Sequence, residues 1–148
     1  MIGFGVAAMN YLEGDFFVSE RTSAKYTELI DQKILPVSFG KHLSKDEQMR
    51  RFMIRGLKKT KVSTSDFFRR YGHKLELYFE KELSSASEKG LLQISGDFVK
   101  LTPLGSNYNT NVYREFFKPG DLVKTEGEKE LYFGISLDLD EELENAPE

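Results

Sequence analysis

The spacing of apolar residues predicts a chain that is mainly helical. The firmest helix lies in "LSKDEQMRRFMIRGLKKT", where Ser44 and Glu47 form a capping box at its start. An apolar stripe at helical spacing follows, formed by Met49, Phe52, Met53 and Leu57. Further helices are predicted at about 23–33, in "STSDFFRRYG" up to Gly72, over "KLELYFEKELSSASEKG", and from Pro103 to about Phe117.

Strand signals are fewer and weaker. Two alternating runs in "LLQISGDFVKLTPLG" predict a β-hairpin around Ser95-Gly96-Asp97. The stretch "ILPVSFG" is predicted as an extended connector, because the residue before Pro36 is pushed out of the helical region. A weak strand pair is predicted around "EGEKELYFGIS". The predicted fold class is α+β and mainly α-helical: a winged-helix-like helical domain with a small antiparallel hairpin.

Charge is distributed unevenly along the chain, although the net charge is only −3. Residues 41–74 carry eleven Lys or Arg against three Asp or Glu, while residues 121–148 carry two against ten. The basic stretch suits nucleic acid or an anionic small molecule, and ordinary surface charge explains it equally well. A winged helix invites the first interpretation, but residues 74–89, the expected recognition helix, carry a net charge of −1. Nucleic acid is therefore not the expected partner.

The residues that catalysis or metal binding requires are scarce. The chain has no cysteine, which excludes a disulfide framework, a thiolate metal site and an iron–sulfur cluster held by this chain. His42 and His73 are the only histidines, and no carboxylates stand at ligand spacing from them. We expect no catalytic and no metal-binding residue here. No apolar run is long enough to cross a membrane and no signal peptide is visible, so a cytoplasmic protein is expected.

The N-terminal stretch "MIGFGVAAMNYLEG" contains a glycine pattern that needs an explanation. Gly3, Gly5 and Ala8 match the G-x-G-x-x-A fingerprint of dinucleotide-binding folds. Only two residues precede Gly3, too few for the buried strand that this fingerprint requires, and no alternation of strands and helices follows. The glycines are left with two explanations: a close approach of the backbone to another group, or a positive φ.

Six stretches in a fixed order carry a resemblance to a known family: "IGFGVAAMNYL", "LPV", "LSKDEQMRRFMIRGL", "DFFRRYG", "GLLQISGDFVKLTPLG" and "NVYREFF". Together they resemble the C-terminal region of the oxygen-independent coproporphyrinogen III oxidase family, the HemN-like radical S-adenosylmethionine proteins. The resemblance covers roughly residues 2–118. It implies a C-terminal accessory domain that caps a substrate cavity in an oxidoreductase of porphyrin biosynthesis or haem metabolism.

The resemblance also implies roles for particular residues. In that family the glycine segment marks where the last strand of the catalytic barrel runs into the C-terminal domain, so Ile2, Gly3, Phe4 and Gly5 are expected near S-adenosylmethionine. Arg50, Arg51 and Arg55 are the residues expected to contact propionate carboxylates, which the planar guanidinium binds bidentately. Pairing of an arginine with Asp46 or Glu47 at helical spacing is the alternative.

The chain departs from the family in lacking the CxxxCxxC cluster motif and the barrel itself. We therefore expect the 4Fe–4S cluster and S-adenosylmethionine only in a full-length enzyme, and no catalysis by this chain alone. An excised domain and a free-standing module both remain open, as do decarboxylase, haem chaperone and haem-degrading activities. A winged-helix nucleic-acid-binding or protein-interaction module is the alternative function.

The resemblance suggests three segments. Residues 1–20 are the expected remnant of the barrel exit strand with its linker, residues 21–118 the helical domain with its β wing, and residues 119–148 a weak strand pair with an acidic tail. Because residues 1–12 are almost uncharged, we expect them to be poorly ordered or to pack against a second copy, giving a weak homodimer.

Overall fold

The computed structural model describes residues 2–118, and the backbone of residues 129–132 and 135–138. Contacts divide the chain into two compact units, Met1–Gln48 and Met49–Glu148. Strands on both sides of residue 20, where the sequence places a segment boundary, belong to one sheet. Among the described residues, no helix is long and apolar enough to cross a membrane. The acidic run after residue 138 lies outside the described residues.

The first unit is built on a three-stranded antiparallel sheet in the order β1-β2-β3. Its apolar residues Phe16, Val18 and Leu43 are buried. Helix α1 lies between β2 and β3 in the chain, as the sequence predicted. The bounds are β1 Met9–Leu12, β2 Asp15–Ser19, α1 Ser23–Asp31 and β3 Val37–His42.

Two segments of this unit form strands that the sequence did not predict. The stretch predicted as an extended connector after Pro36 forms most of β3, which pairs with β2 from Asp15↔His42 to Ser19↔Val37. Residues 9–12, which belong to the segment 1–12 predicted to be poorly ordered or to pack on a second copy, form β1 and pair with β2 of the same chain. Both strands are formed through pairing that the local sequence does not reveal.

The second unit holds a small sheet, in the order β4-β6-β5, and most of the helices. The predicted hairpin is present as β5 and β6. The division between the units falls inside α2, the helix with the predicted capping box. The bounds are α2 Lys45–Lys58, β4 Lys61–Ser63, α3 Thr64–Tyr71, α4 Leu75–Tyr78, α5 Glu80–Glu88, β5 Leu92–Ser95, β6 Phe98–Leu101, α6 Pro103–Asn107 and α7 Asn109–Glu115.

Local signals fixed several helix ends of this unit. The Ser63 hydroxyl accepts the amide of Asp66 at the start of α3, and Gly72 ends that helix with φ at 72°. Thr102 caps α6 through the amide of Gly105, as predicted. The predicted strand pair near the C-terminus is present as β7 Lys129–Tyr132 and β8 Ile135–Asp138.

Two predicted helices are each interrupted. The helix predicted over residues 74–90 breaks at Phe79 into α4 and α5, and the one after Pro103 breaks at Tyr108 into α6 and α7. The break at Phe79 accompanies its burial among aromatic rings, with the Phe67 and Phe116 centroids 6.0 and 5.5 Å away. These rings belong to one continuous core: Met49, Met53, Ile54, Leu57, Val62, Phe67, Leu75, Phe79, Leu83, Ala86, Leu92, Val99, Val112 and Phe116.

Candidate functional site

A buried asparagine organises the loop that contains the glycine pattern. Asn10 is 1% exposed. Its side-chain oxygen accepts the amide hydrogen of Gly3 at 2.7 Å, and its side-chain nitrogen donates to the carbonyl of Ala8 at 3.1 Å. Both ends of the loop are therefore held to the first residues of β1.

The middle of this loop is exposed. Gly5 has φ at +102°, and a Cβ added there would meet no atom within 4 Å. Glycine is thus required for its backbone conformation and not for close packing within this chain. The amide of Gly5 donates to the Tyr26 hydroxyl of α1 at 3.3 Å, while the side chain of Phe4 is 93% exposed.

Other exposed apolar side chains lie at the same end of the sheet. The amide of Ala7 donates to the Glu20 carbonyl, and the amide of Glu20 donates to the Pro36 carbonyl, both at 2.8 Å. These bonds bring the N-terminal loop beside residues 34–37. We call the exposed apolar residues of these two segments the N-terminal apolar surface: Ile2, Phe4, Val6, Ile34, Leu35 and Val37.

Arg50, one of the three arginines predicted to bind substrate, makes contacts within the second unit. Its guanidinium donates to Glu82 Oε1 at 3.3 Å and to the Phe117 carbonyl at 3.3 Å. The same group lies 5.7 Å from the centroid of the Phe79 ring. The Arg50 and Glu82 side chains are only 11% and 21% exposed. Arg50 thus joins α2 to α5 and to the end of α7.

The other two arginines lie one turn apart on α2. Arg51 is buried at 4% exposure, whereas Arg55 is half-buried. Burial and the charge of Arg55 both lower the pKa of Lys58. Consecutive helical residues point about 100° apart, so Arg50 lies on a different side of α2 from Arg51. The three guanidinium groups therefore do not share one exposed surface.

The alternative partner predicted for these arginines, Glu47, has a defined role of its own. Its carboxylate accepts the Ser44 amide at 2.7 Å, and the Ser44 hydroxyl accepts the Glu47 amide at 3.3 Å, which confirms the capping box. Lys41 Nζ lies 2.9 Å from the same carboxylate. Burial raises the pKa of Glu47, but the hydrogen bonds from Lys41 and Ser44 outweigh it and hold the pKa below its ordinary value.

Comparisons with known proteins bear on the predicted family. Residues 43–107 match the family model of the HemN C-terminal domain. The chain is 33% identical over 115 residues to the heme chaperone HemW of Bacillus subtilis, a match that spans 77% of this chain and 30% of that protein. The chain therefore resembles the C-terminal domain of the HemN-like proteins.

Two further relatives agree with that assignment. An oxygen-independent coproporphyrinogen III oxidase of Synechocystis is 27% identical over 124 residues, covering 78% of this chain and 27% of the relative. The solved structure of coproporphyrinogen III oxidase (HemN) from Escherichia coli, described as a radical SAM enzyme, shares the fold with a TM-score of 0.60 at 19% identity. That match covers 78% of this chain and 27% of the other. The chain thus spans less than a third of the length of each of these relatives.

Sequence reasoning missed a polar cluster within residues 43–107, the part that matches the family model. Asp97, at the turn of the β5–β6 hairpin, accepts hydrogen bonds from the Thr64 hydroxyl at 2.7 Å and from the Ser65 amide at 3.0 Å. The hydroxyls of Ser65 and Ser63 bind its other oxygen. These hydrogen bonds hold the pKa of Asp97 below its ordinary value, and the bond from the Ser65 hydroxyl has the largest effect. The cluster fixes the hairpin turn to the start of α3, a contact 32 residues apart that no local pattern reveals.

The donor groups of this chain do not fit an iron–sulfur cluster. The sequence contains no cysteine, and the described residues include no group of three or more His, Asp or Glu that could hold a metal ion. His42 lies in β3, with Nδ1 2.7 Å from Asp15 Oδ1. The ring of His73 lies 5.9 Å from that of Tyr78. Nothing in the comparisons favours the nucleic-acid alternative.

Proposed function

We propose that this chain acts as the C-terminal accessory domain of a HemN-like radical S-adenosylmethionine protein. In this proposal the domain closes the substrate cavity of a catalytic barrel and supplies no catalytic group itself. The observation that carries the proposal is the match of residues 43–107 to the HemN C-terminal domain. The fold shared with the Escherichia coli enzyme supports it.

The proposed ligand of the complete protein is a porphyrinogen or haem. The relatives' own names speak of a heme chaperone and of a coproporphyrinogen III oxidase. Both describe proteins that handle a tetrapyrrole. Since this chain contains no thiolate, the 4Fe–4S cluster would be held by the barrel, where it would reduce S-adenosylmethionine and start radical chemistry.

The N-terminal apolar surface is the proposed contact with the barrel. Phe4 at 93% exposure and Leu35 at 82% would lose much of their contact with water on docking. Each fully buried side chain of this size contributes about 2 kcal/mol. Residues 2–5 would then lie near S-adenosylmethionine, with the open side of Gly5 leaving room for a bound group.

The surroundings of the three candidate arginines distinguish which of them could contact substrate. Arg50 is engaged by Glu82 and by backbone carbonyls, so we assign it to positioning α2. Arg51 is buried, which leaves Arg55, half-buried on the same helix face, as the best placed of the three to reach a propionate carboxylate. Arg55 is therefore the residue we propose to contact substrate directly.

The isolated chain is proposed to self-associate weakly through the same apolar surface. Strand β1 is an edge strand, because its sheet runs β1-β2-β3, and edge strands with apolar neighbours favour association. Sedimentation of the wild-type chain and of a Phe4→Asp variant would test this. Concentration-dependent dimerisation that the variant loses supports the proposal, and identical monomers contradict it.

A chimera tests the proposed function. The C-terminal region of the Bacillus subtilis HemW relative that matches this chain is replaced by residues 2–118, and haem binding is measured against the parent protein. Retained binding in a soluble chimera is expected. Phe4→Asp should uncouple the two parts, while Leu77→Asp, a charge at an apolar residue 71% exposed on α4, serves as control. A chimera that folds but binds no haem would contradict the proposal.

A further inference from the structure

The outer face of the β4–β6–β5 sheet has an unusual composition. Val62 and Val99 are buried on the inner face, so strand alternation places the neighbouring side chains outward. These outward residues offer hydrogen-bond donors and one aromatic ring, and none of them is acidic: Lys61, Ser63, Gln93, Ser95, Phe98 and Lys100.

Two lysines stand directly opposite each other on this face. Lys61 of β4 pairs with Lys100 of β6 in the antiparallel register. Like charges in this position destabilise a sheet. Lys61 Nζ lies 4.4 Å and Lys100 Nζ 5.6 Å from the centroid of the same Phe98 ring, so the two nitrogens lie within about 10 Å of each other, a span set by two cation–π contacts. The electron-rich ring face offsets part of the repulsion.

The described residues supply no carboxylate to neutralise this pair. Among the described residues, Glu82, Asp66 and Glu115 pair with Arg50, Arg69 and Lys89, not with Lys61 or Lys100. Asp97, which precedes Phe98, already accepts hydrogen bonds from Ser63, Thr64 and Ser65. Each ammonium group carries three hydrogen-bond donors, so the pair can donate to an anion.

We propose that this face, which we call the lysine face, binds a ligand with two or more carboxylates. One carboxylate would bridge Lys61 and Lys100 and relieve their repulsion, and the Gln93 amide would donate to a second. The choice of carboxylate over other anions rests on the proposed function, because the propionate side chains of the proposed tetrapyrrole ligand end in carboxylates. The existence of an anion site rests on the geometry alone.

Nuclear magnetic resonance titration of the full chain with tricarballylate, a tricarboxylate, tests the proposal. Shifts should concentrate at residues 61, 98 and 100. Substituting both lysines, as Lys61→Gln with Lys100→Gln, should weaken binding about tenfold, because each exposed ion pair contributes a few-fold. Lys81→Gln, which removes one lysine charge on α5, should leave binding unchanged. Shifts located elsewhere, or equal losses in the control, would overturn the proposal.

A competition arm distinguishes carboxylate from phosphate. Inorganic phosphate at matched ionic strength should displace tricarballylate only at higher concentration, and tighter phosphate binding would overturn the carboxylate assignment. Tricarballylate binding is independent of any barrel. If tricarballylate still binds the chain but the chimera binds no haem, the anion site is supported and the proposed function is contradicted.

Discussion

The side-chain oxygen of Asn10 accepts the amide hydrogen of Gly3 at 2.7 Å. Through this bond a buried residue of β1 fixes the loop that carries Phe4 into solvent. The same side chain binds the Ala8 carbonyl, so one asparagine holds both ends of the loop. The shape of the N-terminal apolar surface therefore depends on a residue that is itself inaccessible.

Substituting Asn10 by alanine should loosen this loop and destabilise the first unit. The change leaves the Gly3 amide without its partner, at a cost of about 2 kcal/mol, while the Ala8 carbonyl keeps its bond from the Ser19 amide at 2.9 Å. Urea unfolding measures the loss, and hydrogen exchange at Gly3 should accelerate. Asn111→Ala, at an exposed position of α7, is the matched control and should change stability little. Unchanged exchange at Gly3 would contradict this role for Asn10.

Gly105→Ala should destabilise the second unit strongly. A Cβ at this position would overlap the carbonyl oxygen of Leu91, and backbone cannot move aside as a flexible side chain can. Overpacking of this kind costs about 3 kcal/mol. Ser106→Ala, at the next and exposed position, should cost less than 1 kcal/mol. Equal unfolding midpoints for the two variants would show that α6 can shift away from Leu91.

Arg50→Gln should lower the free energy of unfolding more than it lowers the affinity for the proposed tetrapyrrole ligand. The variant leaves Glu82, only 21% exposed, without its charged partner, at a cost of about 2 kcal/mol. A double-mutant cycle with Glu82→Gln should give a coupling of roughly 1 kcal/mol. Arg69→Gln removes an ion pair in which the arginine is 80% exposed and should cost under about 0.5 kcal/mol.

The free energy of unfolding should fall in acid because Glu47, the capping-box residue of α2, becomes protonated. Its pKa is lower in the folded chain than its ordinary value of 4.5, so its contribution is complete above that value and is lost as the pH falls through the folded pKa. Urea midpoints from pH 7 down to pH 3 measure this. Glu47→Gln should flatten that part of the profile, and a profile identical to that of the wild-type chain would contradict the assignment.

Local sequence signals predicted the helical region well, because caps and apolar stripes act over a few residues. Ser44 with Glu47 and Gly72 are placed as expected. The first sheet was not predicted, because β2 and β3 pair, for example at Phe17 and Gly40, although α1 separates them in the sequence. Residues 37–42 are mostly exposed and so lack the alternation that identifies a strand.

The roles of charged residues were the least predictable. Arg50 was predicted to contact propionate carboxylates, and its pairing with Glu82, 32 residues further along the chain, was not predicted. Lys61 and Lys100 were counted only as part of a basic stretch or a hairpin strand. Their juxtaposition depends on the register of β4 with β6, which the sequence does not specify.

The most direct test of the accessory-domain proposal is the affinity of this chain for a HemN-like barrel. The N-terminal part of the Bacillus subtilis HemW relative, without the C-terminal region that matches this chain, is titrated with the full chain by sedimentation. A one-to-one complex is predicted, weakened at least tenfold by Phe4→Asp, about 1.4 kcal/mol, and unaffected by Leu77→Asp. A well-folded barrel that forms no complex, or one that both variants weaken equally, would contradict it.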